Sequence, residues 1–345
     1  MSEFGAALHE MLSDADVTAV ARSWARGDLA PGLALWRGLA ELGVTALAVP
    51  EQRGGLGASP ADLVVACEEL GHHAVPGPVA ESLAAVPVLL AGAAVGGEWL
   101  GALADGDLIA TLAAPPGVPL APGAEVAGLV LLVVDGVLSA GRPGEWYRSV
   151  DPARSLAEVR GGRVLAGDVA EAAGRAAEFG TLACAAQLLG AGRALLEASV
   201  RHASVREQFG RPVGTFQAVK HRLADVAIGL EFARPLLDAA ALALGEEAAA
   251  AGRDGPAPGR DGPAAGRDGS AAGRDGPAVR RDVSAAKVAC ADAAYRAARA
   301  ALQVHGAIGY TAEHQLSRWL VQVRALVPAW GGPAEHRARV LRELG

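Results

Sequence analysis

Two short stretches hold the residues whose types and spacing could do chemistry. The first, Arg206-Glu207-Gln208-Phe209-Gly210-Arg211-Pro212-Val213-Gly214, is a charged, glycine-bearing loop inside the run RHASVREQFGRPVGTFQAVKHRLADVAIGL, from Arg201 to Leu230. The second is Gln303-Val304-His305-Gly306-Ala307-Ile308-Gly309-Tyr310-Thr311. A guanidinium fork matches phosphate oxygens, and glycine lets backbone donors approach a ligand closely. Read alone, however, Arg206 is a solvated surface cation and Gln303 a helix end. A third stretch, Arg53-Gly54-Gly55-Leu56-Gly57, reads as a plain turn, because an isolated glycine loop has poor specificity for phosphate. Cys67, Cys184 and Cys290 are widely separated in apolar helical contexts, so each reads as a small buried hydrophobe. No disulfide framework and no metal site is expected.

The elements that must position these residues are long helices. After the first loop, Phe216, Val219, Leu223, Val226, Leu230, Ala233 and Leu237 recur at three- and four-residue steps, the apolar stripe of a helix packed on one side. Lys220, His221, Arg222 and Asp225 occupy its opposite face. This helix is expected to reach about Gly245 with a kink at Pro235, which removes a backbone donor and crowds the Glu231 carbonyl. Gly174 to Val205 forms the helix before the loop, and Gly190 and Gly192 in it imply close helix approach. A further helix runs from Ala285 to Leu302, and a last pair covers Glu313 to Val323 and Pro333 to Leu344.

The stretch from Arg206 to Asp225 resembles the acyl-CoA dehydrogenase family, whose carboxy-terminal helical domain carries the run R-x-Q-F-G-x-x-I-G-x-F-Q-x-x-x-H-x-L-A-D. Nearly every signature position matches. The wording LGVTALAVPEQRGGLG followed by LVVACEELG resembles the family's amino-terminal helical domain. The resemblance implies a mainly α, α+β fold. It has an amino-terminal helical domain at 1–105, a small central antiparallel β-domain at 106–170 and a carboxy-terminal four-helix bundle at 171–345. Between Gly106 and about Gly167 the period indeed changes to short runs, at Leu108–Leu112, Leu129–Val134, Ser149–Val150 and Leu156–Val159, as strands do. The family's flavin-facing loop of the W-x-T-N kind is not found there. Trp146, the segment's one tryptophan, lies in GEWYRSVDP, so flavin contact from this domain is reduced or comes from other residues.

Carried over residue by residue, the resemblance implies an FAD site. Arg206 would pair with the pyrophosphate, Gln208 and Phe209 would lie beside the cofactor, and Gln217 would reach the adenosine half. Gln303, Val304, His305, Gly306 and Ala307 would bring backbone donors to the same dinucleotide in a neighbouring subunit, His305 being read as a packing or interface residue. Ala307 replaces the second glycine of the family's Q-V-x-G-G, and alanine costs on the order of 1 kcal/mol if that position needs a positive φ.

The implied reaction is α,β-dehydrogenation of an acyl-CoA thioester, in which a carboxylate removes the α-proton while the β-hydride passes to the flavin. Both positions where the family keeps that carboxylate hold glycine: Gly331, matching the Glu of Y-E-G-T, and Gly180, matching the alternative site. Glu178 is rotated roughly 200° from Gly180 along its helix. Glu335 falls in the first turn of the final helix, where an acid complements the dipole. Either is a weak surrogate, and the expected arrangement is a homo- or hetero-oligomer with a second acyl-CoA dehydrogenase-like subunit supplying the base. An electron-transfer flavoprotein would take the electrons. The alternatives are a non-catalytic scaffold subunit of a heteromeric flavoenzyme, or a flavin oxidase or monooxygenase on the same fold.

Composition sets outer limits. About half of the 345 residues are apolar, enough for a large core, and the formal charge of −7 with no basic patch argues against a nucleic-acid surface. The amino terminus lacks the pattern of a secretory signal, and the apolar run Leu83–Gly96 is broken by Pro87 and too short to span a bilayer. A cytoplasmic protein is expected. Between 248 and 281 the unit GRDG recurs at Gly252, Gly259, Gly266 and Gly273 with no apolar side chain larger than alanine within the repeats, which reads as a disordered, expanded loop.

Overall fold

The computed structural model describes residues 2–253, 276–311 and 314–344. Its amino-terminal part is made of short helices, three of which start at side-chain caps. Ser2 and Asp16 accept the N–H groups of Gly5 and Ala19, opening α1 (Glu3–Asp14) and α2 (Val17–Ala25). Pro31 sits in the first turn of α3 (Ala30–Glu41), and Ser59 and Asp62 cap α4 (Pro60–His72) reciprocally. A π-helical turn, Glu81–Ala85, leads into α5 (Val86–Gly92), and α6 (Gly97–Ala104) follows.

Five strands come next: β1 (Ala110–Ala113), β2 (Ala121–Pro122), β3 (Leu129–Val134), β4 (Val137–Arg148) and β5 (Ser155–Ala166). They form one sheet in the order β1-β3-β4-β5-β2. The expected antiparallel sheet is corrected in one respect, since β1 and β3 run parallel while the other pairs are antiparallel. Strand β4 escapes sequence reading because Gly141, Pro143 and Gly144 interrupt its pattern; pairing with β5 absorbs them as register shifts. Ser149 and Val150, expected as a strand, lie in the connection between β4 and β5.

Three long helices make the carboxy-terminal bundle: α7 (Ala170–Val205), α8 (Gln217–Arg253) and α9 (Gly276–His305). The shorter α10 (Leu316–Leu326) and α11 (Pro333–Glu343) pack against them, α10 on α7 and α9, α11 on α9. Helix α8 continues through Pro235 and beyond Gly245, and α9 already begins at Gly276, so both ends of the expected 248–281 loop are helical. The rest of that expected loop, 254–275, lies outside the described residues, as does Glu313, where the sequence pattern starts the penultimate helix. Val226, Leu230, Ala233 and Leu237 are buried along α8, the stripe that the periodicity demanded.

Small residues let these helices touch. A Cβ on Gly71 would overlap the Gln187 backbone, and one on Gly190 would overlap the Glu68 carbonyl, so α4 and α7 meet backbone to backbone. Gly192 makes room on α7 for the Leu230 side chain of α8 and for the Ala294 backbone of α9, 2.7 and 3.3 Å from where its Cβ would stand. One contiguous core therefore joins amino-terminal Leu63, Leu70 and Leu89 to carboxy-terminal Leu182, Leu195 and Val283. Among the described residues, Ala170–Val205 is the one helix long and apolar enough to cross a membrane, but its most apolar window is 89% buried, so it is a core helix.

Candidate active site and cofactor corner

Arg206 ends α7, and the chain turns through a short hairpin, β6 (Glu207–Gln208) against β7 (Arg211–Pro212), before Gln217 opens α8. The turn is made by Phe209 (φ 53°) and Gly210 (φ 73°). A left-handed phenylalanine costs on the order of 1 kcal/mol, and here it holds a ring 92% exposed to solvent. Arg206, Gln208, Gln217 and Gln303 are all exposed, and among the described residues their side chains make no hydrogen bond or ion pair. Their donors are therefore free for a ligand.

The second stretch lies at the same corner of the same chain. His202, one turn before Arg206, stacks on His305 with ring centroids 4.2 Å apart. One protomer thus presents both stretches together, where the sequence reading set them in neighbouring subunits. His305 is buried with Nδ1 2.8 Å from the Ala301 carbonyl, a packing role, while Val304 is half-buried and Ala307 exposed. The left-handed residue is Gly306 (φ 64°) and not Ala307, so the penalty anticipated for alanine does not arise. An exposed guanidinium, three free amides, an exposed ring and a glycine turn fit a dinucleotide with a pyrophosphate and an aromatic system. Trp146 and Tyr147 stand partly exposed on β4, away from regular core packing.

Gly180 and Gly331, the two glycines that the resemblance sets at base positions, converge in space. A Cβ on Gly180 would stand 2.5 Å from the Trp330 ring, so the indole occupies the volume into which a side chain at 180 would project. Trp330 (φ 58°) and Gly331 (φ 91°) are both left-handed, and a Cβ on Gly331 would meet His336 Nε2 at 2.7 Å. His336 fixes this turn by donating from Nε2 to the Trp330 carbonyl at 2.9 Å, with Nδ1 3.1 Å from Ser284 Oγ. Burial, only partly offset by the Trp330 carbonyl, pushes the imidazole down to about 4, so it is neutral.

Glu178 does not reach this place, whereas Glu335 Oε2 lies 3.3 Å from where a Cβ on Gly331 would stand and is engaged as a helix cap. Glu178 accepts a hydrogen bond from Arg339 at 2.7 Å and is turned toward α11; burial, opposed by Arg339, pushes its carboxyl up to about 7. Glu335 accepts the N–H of Gly332 at 2.9 Å, which is the helix-capping role. Glu81, which sequence reading passed over, reaches it as well. Its Oε1 accepts the Trp330 indole N–H at 2.9 Å and lies 3.9 Å from Arg154 Nη2. Burial raises the Glu81 carboxyl, and Arg154 opposes the rise. The available signal was a lone acid inside the apolar run from Val75 to Leu90. Gly77, Glu81, Asp151, Arg154, Gln187 and Trp330 surround a cavity of only about 30 Å³. That is room for a water molecule or two.

The sequence matches "Acyl-CoA dehydrogenase, N-terminal domain" over residues 5–107 and "Acyl-CoA dehydrogenase, C-terminal domain" over 153–257 and 265–344. The chain belongs to the acyl-CoA dehydrogenase family. Among its relatives is acyl-CoA dehydrogenase IpdE2 of Mycobacterium tuberculosis, 29% identical over 90% of this chain and 85% of that protein. The fold is shared with the Tcur3481-Tcur3483 steroid ACAD, with TM-score 0.76, 22% identity, and coverage of 99% of this chain and 96% of that one. It is shared equally with the ChsE4-ChsE5 complex from Mycobacterium tuberculosis, with TM-score 0.75, 24% identity, and coverage of 100% and 98%. By family this acyl-CoA dehydrogenase is a flavoprotein oxidoreductase.

Proposed function

We propose that this chain is the base-deficient, FAD-dependent subunit of an oligomeric acyl-CoA dehydrogenase, in which a second subunit of similar fold supplies the carboxylate for α,β-dehydrogenation. The observation that carries this reading is the Trp330 indole over Gly180, with Gly331 beside it and the nearby acids among the described residues engaged, Glu81 by the indole N–H and Glu335 by the Gly332 N–H. Arg206 would hold the pyrophosphate, Gln208, Phe209 and Gln217 the adjoining parts of the dinucleotide, and Gln303 to Ala307 its far side. Bound there, FAD would supply the acceptor for the β-hydride. The proton leaving the α-carbon would go to the partner's carboxylate, because Glu81 and Glu335, the described acids near Gly180 and Gly331, are held by Trp330 and by the Gly332 N–H.

An oligomer is supported by the surface. Ile228, Phe232 and Leu236, four residues apart on α8, are 54%, 75% and 43% exposed, an apolar stripe that a lone protomer leaves in water. The steroid ACAD and the ChsE4-ChsE5 complex, both paired by name, support a heteromer acting on a steroid-type or similarly bulky acyl-CoA. An electron-transfer flavoprotein fits as the acceptor.

The test uses the chain alone and co-expressed with an acyl-CoA dehydrogenase-like partner bearing an intact Glu-Gly-Thr. Flavin absorbance is recorded before and after an acyl-CoA panel. Bleaching is expected only in the co-expressed material. Bleaching by the lone chain would show that a base is present after all, and colourless protein in both preparations would favour a scaffold without cofactor.

A further inference from the structure

Away from the flavin corner, the amino-terminal helix meets the end of α4 through a cluster of metal-ligating side chains. His9 from α1 and Glu69, His72 and His73 from the end of α4 each bring one ligand atom into a group whose members all lie within 4.8 Å of one another. His9 Nδ1 is 2.8 Å from Glu69 Oε2 and 3.2 Å from His73 Nε2. One proton on His9 Nδ1 cannot serve both contacts. If it points at Glu69, Nδ1 has no lone pair left with which to accept from His73. If His73 donates instead, the carboxylate faces a lone pair.

His72 adds a second, independent sign. Its residue surface is 8% exposed, its Nε2 lies 3.0 Å from Glu197 Oε2, and its Nδ1 is buried with no hydrogen-bond partner. A carboxylate on one ring nitrogen fixes the tautomer and leaves the other nitrogen as a lone-pair donor, the arrangement that backs metal-bound histidines. Glu69 is set similarly: Arg193 holds Oε1 at 3.2 Å and leaves Oε2 in the cluster. The α4 backbone against Gly190 and the Trp319 indole, donating to the His72 carbonyl at 2.7 Å, fix this end of the helix.

We propose that His9, Glu69, His72 and His73 form a structural site for a divalent transition metal of the zinc class, with Glu197 orienting His72. Three imidazoles and one carboxylate suit Zn²⁺ better than Ca²⁺ or Mg²⁺, which prefer oxygen ligands. Metal–ligand bonds of about 2.0–2.1 Å place tetrahedral ligands roughly 3.4 Å apart, so the wider pairs of the cluster close by up to about 1.4 Å on binding. Because His9 is the one ligand outside α4, the metal clasps α1 to the rest of the chain. All four ligand positions are protein side chains, which makes the site closed and structural, with no position left for substrate.

The experiment uses the tag-free full chain, with its partner subunit if that is needed for solubility. The protein is stripped with a chelator and titrated with ZnCl₂, followed by metal analysis after desalting and by the melting temperature of α1-dependent unfolding. One zinc per chain and a concentration-dependent rise in melting temperature are expected. Co²⁺ in place of Zn²⁺ is expected to give the intense visible bands of a tetrahedral site. His9→Gln, at a half-exposed position where folding should survive, removes the clasp and the cobalt bands. Glu197→Gln, outside the ligand set, weakens zinc binding by about 10–100-fold. Substoichiometric zinc in the wild type, or zinc and cobalt signals unchanged in His9→Gln and His73→Gln, would overturn the site and leave a hydrogen-bonded histidine cluster.

Discussion

At the residue scale, the decisive feature is the tryptophan that covers Gly180, one of the two glycines that the sequence resemblance sets at the carboxylate positions. Trp330 fills the volume over Gly180 and spends its indole N–H on Glu81, so the site is occupied from within. Two consequences can be measured. Gly180→Ala places a Cβ against the ring and should destabilise the chain by about 1–3 kcal/mol, while Trp330→Ala should cost about 3–5 kcal/mol through its cavity and the unpaired Glu81. In the double variant the first penalty should vanish, a coupling of at least about 1 kcal/mol in urea unfolding; simple additivity would separate the two residues. The glycines themselves were legible in the sequence. The identity of what covers them was not, because nothing in the sequence spacing says that residues 180 and 330, or 81 and 330, meet.

His336, which locks the same turn, carries a pH dependence with a definite sign. Its folded pKa of about 4 lies below the ordinary 6.5, so the unfolded chain binds the extra proton between those values. The stability contributed by the neutral ring is complete above about pH 6.5 and is lost as pH falls toward 4, about 3 kcal/mol in all. Glu178, raised to about 7, changes in the opposite sense across an overlapping range, so the raw curve of the wild type mixes the two. The difference between wild type and His336→Gln removes Glu178 from the comparison. That difference should shrink between pH 7 and pH 4.5 in denaturant midpoints, and a constant gap would mean that His336 is not buried neutral.

At the element scale, the helices were readable where a stripe or a cap announces them and unreadable where tertiary pairing overrides local pattern. The apolar stripe of α8 and the close approach at Gly190 and Gly192 follow from residue types and spacing. Strand β4 does not, since Gly141, Pro143 and Gly144 look like a loop until β5 supplies its partner. The far end of α8 was hidden for a similar reason: alanines 248–251 precede the repeat and extend the helix to Arg253 although glycine and proline follow at once. The α4–α7 contact makes the sharpest prediction here. Gly190→Ala drives a methyl into the Glu68 carbonyl, where no side chain can yield, and should destabilise by about 3 kcal/mol or prevent folding. Gly174→Ala, in open space on the same helix, is the control and should be neutral or slightly stabilising in thermal unfolding.

At the scale of the whole molecule, the same helices that build the core leave one face unfinished. Glu68 shows how tightly the inner face is closed. Burial alone would raise its carboxyl, yet Arg234 and Arg193 hold it below the usual range and tie α4 to α7 and α8. The outer face of α8 is the reverse case, with Ile228, Phe232 and Leu236 in solvent beside a groove formed with α9 and lined by Arg222, Arg296 and Arg299. Burying three such side chains contributes roughly 5 kcal/mol to association before ordering costs, which is enough to make assembly sensitive to a single charge. Phe232→Glu should therefore lower the mass seen by light scattering to that of a monomer while circular dichroism keeps its helical signal. Flavin content should be followed in the same samples. If the oligomer disperses and the flavin is retained, the cofactor corner of Arg206 and Gly306 binds within one chain; if both are lost together, the dinucleotide needs the neighbouring subunit. An unchanged mass would place the subunit boundary on another face and remove α8 from the assembly.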